Sequence, residues 1–377
     1  MTARPFAGLA KADQTELVAT TLRAGIATVL GRYDAESIPA DATFRALGFD
    51  ARCAVRLRRH LIAEFGTELP PILLTDAMTI DSVATFLWAR LSGVPEGDPA
   101  SDERTSEWQT ESLDLDGYLR RIGLSCRPAP TLAALRQIHR AQVTTIGFDT
   151  MDVVLGNPLS IELPDIQRKL FRTARGAVCL EHNLLLAAAL ERLGFRVTRI
   201  AGRPRIGLPL VLPLGHLALL VEVDGVPWLV DAGLGGEAVT EPVALHGGQS
   251  AGRAPWQWRV VPFGDDEHVL QALRGDWVDR YSFDLHPQRF IDTVVSQYYS
   301  ASYPGLPINR VLLAHRFVHA DLHVLHGVLH TRTSQDGTVR RRPLDCLEFV
   351  EVLANVFDIT LTEPQLEAIW PDQTRLS

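Results

Sequence analysis

Apolar residues return at helical spacing in three stretches near the start of the chain, Leu17–Leu30, Val55–Phe65 and Ile80–Leu91. This spacing predicts three amphipathic helices, with Thr79 placed to cap the last. Periodicity is then lost across Gly93–Ser112, a polar, acidic run rich in Gly, Pro and Ser that reads as a flexible linker. It separates a helical unit, residues 1–92, from a larger part, residues 113–377. Helical spacing resumes at Leu132–Gln142, Leu163–Thr173 and Leu180–Leu193. From Phe195 to about Leu285 the pattern alternates and is broken by turns. Val197–Ile200 and Leu219–Val223 read as strands, and Asp224-Gly225 as a hairpin turn. Helical character returns at Leu344–Phe357. The order implies a multidomain α+β chain.

Composition narrows the partners. With 46% apolar and 22% charged residues, the 377-residue chain can bury a sizeable core in two or three domains. A net charge of −8 argues against nucleic acid or an anionic membrane as partner. Cys53, Cys126, Cys179 and Cys346 follow no recurrent spacing, which fits a reducing cytoplasm without a disulfide frame or zinc motif. No apolar signal core stands at the N-terminus. The longest apolar run, Leu208–Val223, is broken by Pro209, Pro213 and His216 and reads as strands, not as a membrane span.

The chemistry concentrates in three places. Arg175-Gly176-Ala177-Val178-Cys179-Leu180-Glu181-His182-Asn183 leads into the apolar Leu184–Leu190, so Cys179 stands at the start of a predicted helix. Gly215-His216 opens an apolar strand, and Leu229-Val230-Asp231-Ala232-Gly233 ends the next one. A thiol needs a base to become a thiolate, and the base needs a carboxylate to fix its tautomer. A helix N-terminus favours the resulting negative charge. Cys179, His216 and Asp231 supply all three parts of a covalent acyl-transfer site.

From about Leu113 onward the chain resembles the arylamine N-acetyltransferase family, including the amide synthases that release polyketides from carrier proteins. The family pattern is Arg-Gly-Gly-x-Cys-x-Glu, then Thr-His before an apolar strand, then Val-Asp-x-Gly. Asp114–Gly123 and Phe148–Val153 add supporting matches. The resemblance implies a helical bundle over 113–194, a β-barrel over 195–290 and an α/β lid over 291–377, holding a papain-like Cys-His-Asp triad. It also implies that Phe148, Leu180, His182 and Gly215 bind substrate. Ala177, Leu180, His182 and Gly215 replace a usual Gly, Phe, Leu and Thr, and Ser300-Ala301-Ser302-Tyr303-Pro304 stands where Ser-Thr-His-Pro is common. Members that use coenzyme A draw on that late region to bind it.

The first unit resembles an acyl or peptidyl carrier domain, a four-helix bundle. The resemblance rests on Phe44–Leu61, with Phe65–Pro70 and Asp76–Ile80 beside it. Carrier domains esterify phosphopantetheine to a serine directly after Gly-x-Asp. Here that position is Ala51, which has no hydroxyl. Either the domain is naturally degenerate, or alanine stands in place of a native serine.

The same residues admit competing readings. His182 lies on the helical face of Cys179, but His216 is the better base because Asp231 offers it a carboxylate; His182 is expected in the pocket lining. His315, His319, His323, His326 and His330 have the look of a metal site. Their segment, Val311–Thr333, reads as strands, and on a strand i and i+4 lie about 13 Å apart, too far to share an ion. Gly233-Leu234-Gly235-Gly236 reads as a strand-end turn, not a phosphate cradle. The expectation is a cytoplasmic acyltransferase with no tightly bound cofactor or metal. Its donor is an acyl thioester on a phosphopantetheine carrier or on coenzyme A, and its acceptor a small amine. Assembly-line proteins are the implied partners; a non-catalytic docking protein is the alternative of another class.

Overall fold

The computed structural model describes residues 11–31, 34–44, 46–49, 51–66, 79–91, 107–173, 175–205, 211–246, 248, 250–303, 306 and 311–374. The chain forms two compact units, residues 1–102 and 103–377.

In the first unit, helices α1 (Lys11–Leu30), α2 (Ala51–Phe65) and α3 (Ile80–Leu91) form where the apolar spacing predicts them. Val18, Leu22 and Ile26 of α1 are buried with Leu57 and Leu61 of α2 and Val83 and Leu87 of α3. Each fully buried side chain of this kind contributes roughly 1.5–3 kcal/mol. Thr79 and Ser82 cap α3 reciprocally: each hydroxyl accepts from the other's backbone N–H, at 3.2 and 3.0 Å. A fourth helix of the expected bundle, and the matches at Thr67–Pro70 and Asp76–Met78, lie outside the described residues.

The second unit opens with α4 (Leu115–Arg121), α5 (Leu132–Thr145), strand β1 (Phe148–Asp149), α6 (Met151–Val154), α7 (Leu163–Arg172) and α8 (Cys179–Arg192). Asp114 and Thr131 cap α4 and α5 through their side chains. Helix α8 is apolar all round from Leu184 to Leu190, and each of those residues is at most 3% exposed. Such a helix belongs at the centre of a core.

Strands β2 (Arg196–Pro204), β3 (His216–Val223), β4 (Val226–Val230), β5 (Val243–Ala244), β6 (Ala251–Arg253), β7 (Trp256–Phe263), β8 (Glu267–Arg274) and β9 (Asp276–Phe283) form one antiparallel sheet. Its order, β5-β4-β3-β2-β9-β8-β7-β6, curls into a nearly closed barrel. Asp224 and Gly225 both take positive φ, 52° and 75°, as a tight two-residue hairpin turn requires. After α9 (Phe290–Ser302), strands β10 (Leu313–Val318), β11 (Asp321–His326), β12 (Leu329–Thr333) and β13 (Val339–Pro343) join β1 in a second sheet. Helices α10 (Cys346–Phe357) and α11 (Glu363–Gln373) follow, and α10 packs on this sheet.

Two expectations need correction. Residues 107–112, read as the end of the linker, lie against the second unit, whose core takes Trp108: its ring is buried edge-on to Phe290 and beneath the Arg199 guanidinium. One apolar ring in an otherwise polar run was enough to anchor it. The histidine run forms strands, but a turn at His319-Ala320 sets His315 and His323 on two different ones. The rings of His323 and His330, on neighbouring strands, meet at 3.0 Å between Nδ1 and Nε2. The single-strand separation therefore does not apply to that pair.

Candidate active site

Cys179 is the first residue of α8, half-buried, with its thiol at the positive end of a 14-residue helix. The turn before it is held from both sides. The Glu181 carboxylate reaches back to the Val178 N–H at 2.9 Å and is itself held by Lys169 at 3.0 Å. Asp149, 2% exposed, accepts from the Gly176 N–H at 2.7 Å and from Arg175 at 2.8 Å. Asp149 belongs to β1, so this clamp ties the cysteine loop to the second sheet.

His216 begins β3 and Asp231 directly follows β4. The hairpin register pairs Leu219 with Val230, so Asp231 falls beside the face of β3 that carries His216. His216 Nε2 lies 2.7 Å from Asp231 Oδ2. That bond leaves Nδ1 as the nitrogen for the thiol, and Cys179 is close enough to act on the charge of the imidazole. Burial alone would lower the His216 pKa, but the Asp231 charge and hydrogen bond, helped by Cys179, raise it well above the usual histidine value. Burial would raise the Asp231 pKa, but His216, Asn183 and the Gly233 N–H lower it.

Two glycines make the close packing possible. Gly202 faces His216 across the β2–β3 ladder; a Cβ there would lie 2.9 Å from the Tyr281 ring and 3.3 Å from the His216 ring. Gly233 turns the chain after Asp231, where a Cβ would meet the Cys179 backbone at 2.7 Å.

The remaining predicted positions divide. Leu180 lines a small cavity together with His216. Gly215 sits near the Ser300 hydroxyl. Phe148 is buried with its ring parallel to those of His182 and His315. His182 is not in the cavity lining: it is fully buried, and its Nε2–H donates to the Gly147 carbonyl at 3.0 Å. Burial pushes its pKa down to about 4. The structure thus seats this histidine in the core, because Gly147 and Gln142 satisfy its ring where a place in the pocket lining was expected. Ala51 lies in the other unit, as the first residue of α2. Sequence reasoning missed Asn183, whose amide donates to Asp231 Oδ1 at 2.9 Å and whose carbonyl accepts from the Ala232 N–H at 3.0 Å. Its place one helical turn after Cys179 was the available signal.

Comparison with known proteins bears on this arrangement. Residues 131–366 match the N-acetyltransferase family model. The chain belongs to the arylamine N-acetyltransferase family. Arylamine N-acetyltransferase from Mycolicibacterium smegmatis is 37% identical over 200 residues, covering 52% of this chain and 73% of that protein. The crystal structure of the Nocardia farcinica enzyme superposes with a TM-score of 0.65 at 36% identity, over 70% of this chain and 95% of that one. That of the Mycobacterium marinum enzyme in complex with CoA gives 0.63 at 30% identity, over 68% and 98%. Residues 20–87 match the model of a phosphopantetheine attachment site. The protein is therefore an acyltransferase of the arylamine N-acetyltransferase family joined to a carrier-like domain. Among the described residues no helix is long and apolar enough to cross a membrane.

Proposed function

We propose that the protein is an amide-forming N-acyltransferase of natural-product assembly. It takes its acyl group from a carrier-bound thioester onto Cys179 and passes it to an amine or hydrazine-type nucleophile. The supporting observation is the union of a carrier-like unit and an acyltransferase in one chain. Asp231 holds His216 through Nε2, and His216 takes the Cys179 thiol proton through its other nitrogen. The thiolate attacks the thioester carbonyl, the donor's C–S bond breaks, and the pantetheine thiol leaves. Backbone N–H groups at the start of α8 and at Gly215 stabilise the oxyanion. The acceptor nitrogen then attacks with His216 as its base.

Position 51 does not fit an arm of its own, since alanine has no hydroxyl to esterify. The thioester comes from a separate carrier, or from this unit where serine occupies position 51. The test offers the full chain one acyl group on a carrier protein and on coenzyme A, with intact-protein mass read for each and Cys179→Ala as control. Faster charging of Cys179 from the carrier is expected. In Ala51→Ser loaded with an acyl-pantetheine arm, tethering raises the effective concentration to about the millimolar range, so transfer within the chain should outpace transfer between chains.

A second reading, acetyl-coenzyme A as donor and an arylamine as acceptor, draws on a separate observation. Arg274, Arg280 and Arg341 line a cavity of about 660 Å³ between the barrel and the second sheet, with Glu237 as the counter-charge of the first two. Guanidinium groups suit phosphates. Charging from coenzyme A but not from a carrier, with KM raised in Arg341→Ala, would favour it.

A further inference from the structure

The turn that carries Cys179 is tied on both sides to a single oxygen atom. The Gly147 carbonyl accepts from the Ala177 N–H at 2.9 Å, two residues before the thiol, and from His182 Nε2–H at 3.0 Å, three residues after it. A carbonyl oxygen has two lone pairs, so both bonds can stand together. Ala177 also lies in a parallel bridge with Phe148, and its carbonyl accepts from the Asp149 N–H at 3.3 Å. Gly176 allows this approach, since a Cβ there would lie 2.6 Å from the Gly147 oxygen. The His182 ring is itself fixed from behind. The Tyr118 hydroxyl donates to Gln142 Oε1 at 2.7 Å, which turns Gln142 Nε2 toward His182. That nitrogen donates to the His182 carbonyl at 2.9 Å and faces the ring's Nδ1 at 3.4 Å. A ring nitrogen that faces an amide N–H must accept, so the hydrogen of the neutral imidazole sits on Nε2. Tyr118, Gln142 and His182 are all fully buried, and a buried network whose members are paired is rigid.

We propose that His182 is a positioning residue of acyl transfer: its Nε2–H fastens α8 to the same Gly147 carbonyl that holds Ala177, and so fixes the backbone N–H groups beside Cys179. Its ring is inaccessible, so it acts through that backbone and not on the substrate. The inference rests on Cys179 as the nucleophile, as read above. The oxyanion forms only as the thiolate adds to the thioester carbonyl, and the N–H groups that meet it must already be in place. Without the His182 bond the turn can shift against β1, which slows the covalent step without weakening the hold on the donor. The line Tyr118–Gln142–His182 therefore governs the rate of transfer and not donor affinity.

The full chain is mixed with acetyl-pantetheine, the thioester common to both donor readings, and intact-protein mass follows single-turnover charging of Cys179. His182→Leu keeps the bulk and loses the bond. Its saturating rate should fall about tenfold, with the half-saturating donor concentration within about twofold of the parent's. His182→Gln brings an amide N–H near the place of Nε2 and should recover most of the rate. Tyr118→Phe loses only a hydroxyl; it should lose about threefold in the same quantity, and it carries the test where His182→Leu does not fold. An unmoved saturating rate in either folded variant, whatever its denaturant midpoint, makes the network purely structural and overturns the inference. A loss that His182→Gln fails to recover overturns it as well. A parent chain whose Cys179 is charged by neither acetyl-pantetheine nor acetyl-coenzyme A overturns the nucleophile reading, and this inference with it.

Discussion

The Asn183 amide lies 2.9 Å from Asp231 Oδ1 and donates to it, so the helix that carries Cys179 is bonded directly to the carboxylate that holds His216. The same side chain accepts from Ala232 N–H and donates to the Leu217 carbonyl at 2.6 Å. One amide thus joins α8, β3 and the end of β4, and sets the distance between nucleophile and base.

Asn183→Leu keeps the volume and removes all three bonds. The polar groups left unpaired in the core should lower stability by about 1–3 kcal/mol. Activity should fall more than stability explains, because Asp231 loses the partner that aims it. Denaturant midpoints measured beside kcat/KM will distinguish the two; loss of stability alone, with kcat/KM intact in the folded variant, would refute the orienting role.

The His216–Asp231 pair gives stability a defined pH window. His216 is raised to about 10, and Asp231 lowered to about 2. A raised base contributes fully below its unfolded value, about 6.5, and the contribution is lost as pH rises through the folded value. A lowered acid contributes above its unfolded value, about 3.9, and that contribution is lost as pH falls through the folded value. The difference in unfolding free energy between the parent protein and His216→Gln should therefore peak between about pH 4 and 6.5 and shrink toward pH 10. A difference that stays flat across this range would contradict the pairing.

Gly233→Ala tests the contact between the turn after Asp231 and Cys179. The added methyl would sit 2.7 Å from backbone atoms, which cannot swing away as a side chain does. The backbone must move, and a displacement of this kind near reacting atoms costs about a hundredfold in rate. Iodoacetamide alkylation of Cys179 should slow in parallel, since the thiol would no longer meet His216 squarely.

Asp149→Asn addresses the clamp before the nucleophile. Asp149 holds Arg175 and the Gly176 and Met151 N–H groups, and is nearly inaccessible. Removing one partner of a buried ion pair costs about 3–5 kcal/mol; Asp152, which also reaches Arg175 at 3.3 Å, should hold the loss to the lower end. Urea unfolding of the full chain will show it in the transition of the second unit, with the first unit's transition unmoved.

Much of the architecture is legible in local pattern. The helices at Leu17–Leu30, Leu132–Gln142 and Leu180–Leu193 follow from apolar residues three and four apart, because one face of each must be buried. The Asp224-Gly225 hairpin follows from two residues that tolerate positive φ. What escapes such reading is set by distant partners. Nothing near Trp108 announces that Phe290 and Arg199 will bury it. His182 has the spacing of a pocket residue, yet Gly147, thirty-five positions earlier, takes its ring nitrogen into the core.

By itself, then, the sequence determined which segments become helix and strand, and placed a thiol, an imidazole and a carboxylate at element ends, since these depend on neighbours a turn or a pleat away. Only the tertiary structure decided which polar side chains complete the site. Asn183 and Asp149 gain their places from the packing of α8 and β1 against segments remote in the chain, and a hydrogen bond between distant segments leaves no local pattern to read.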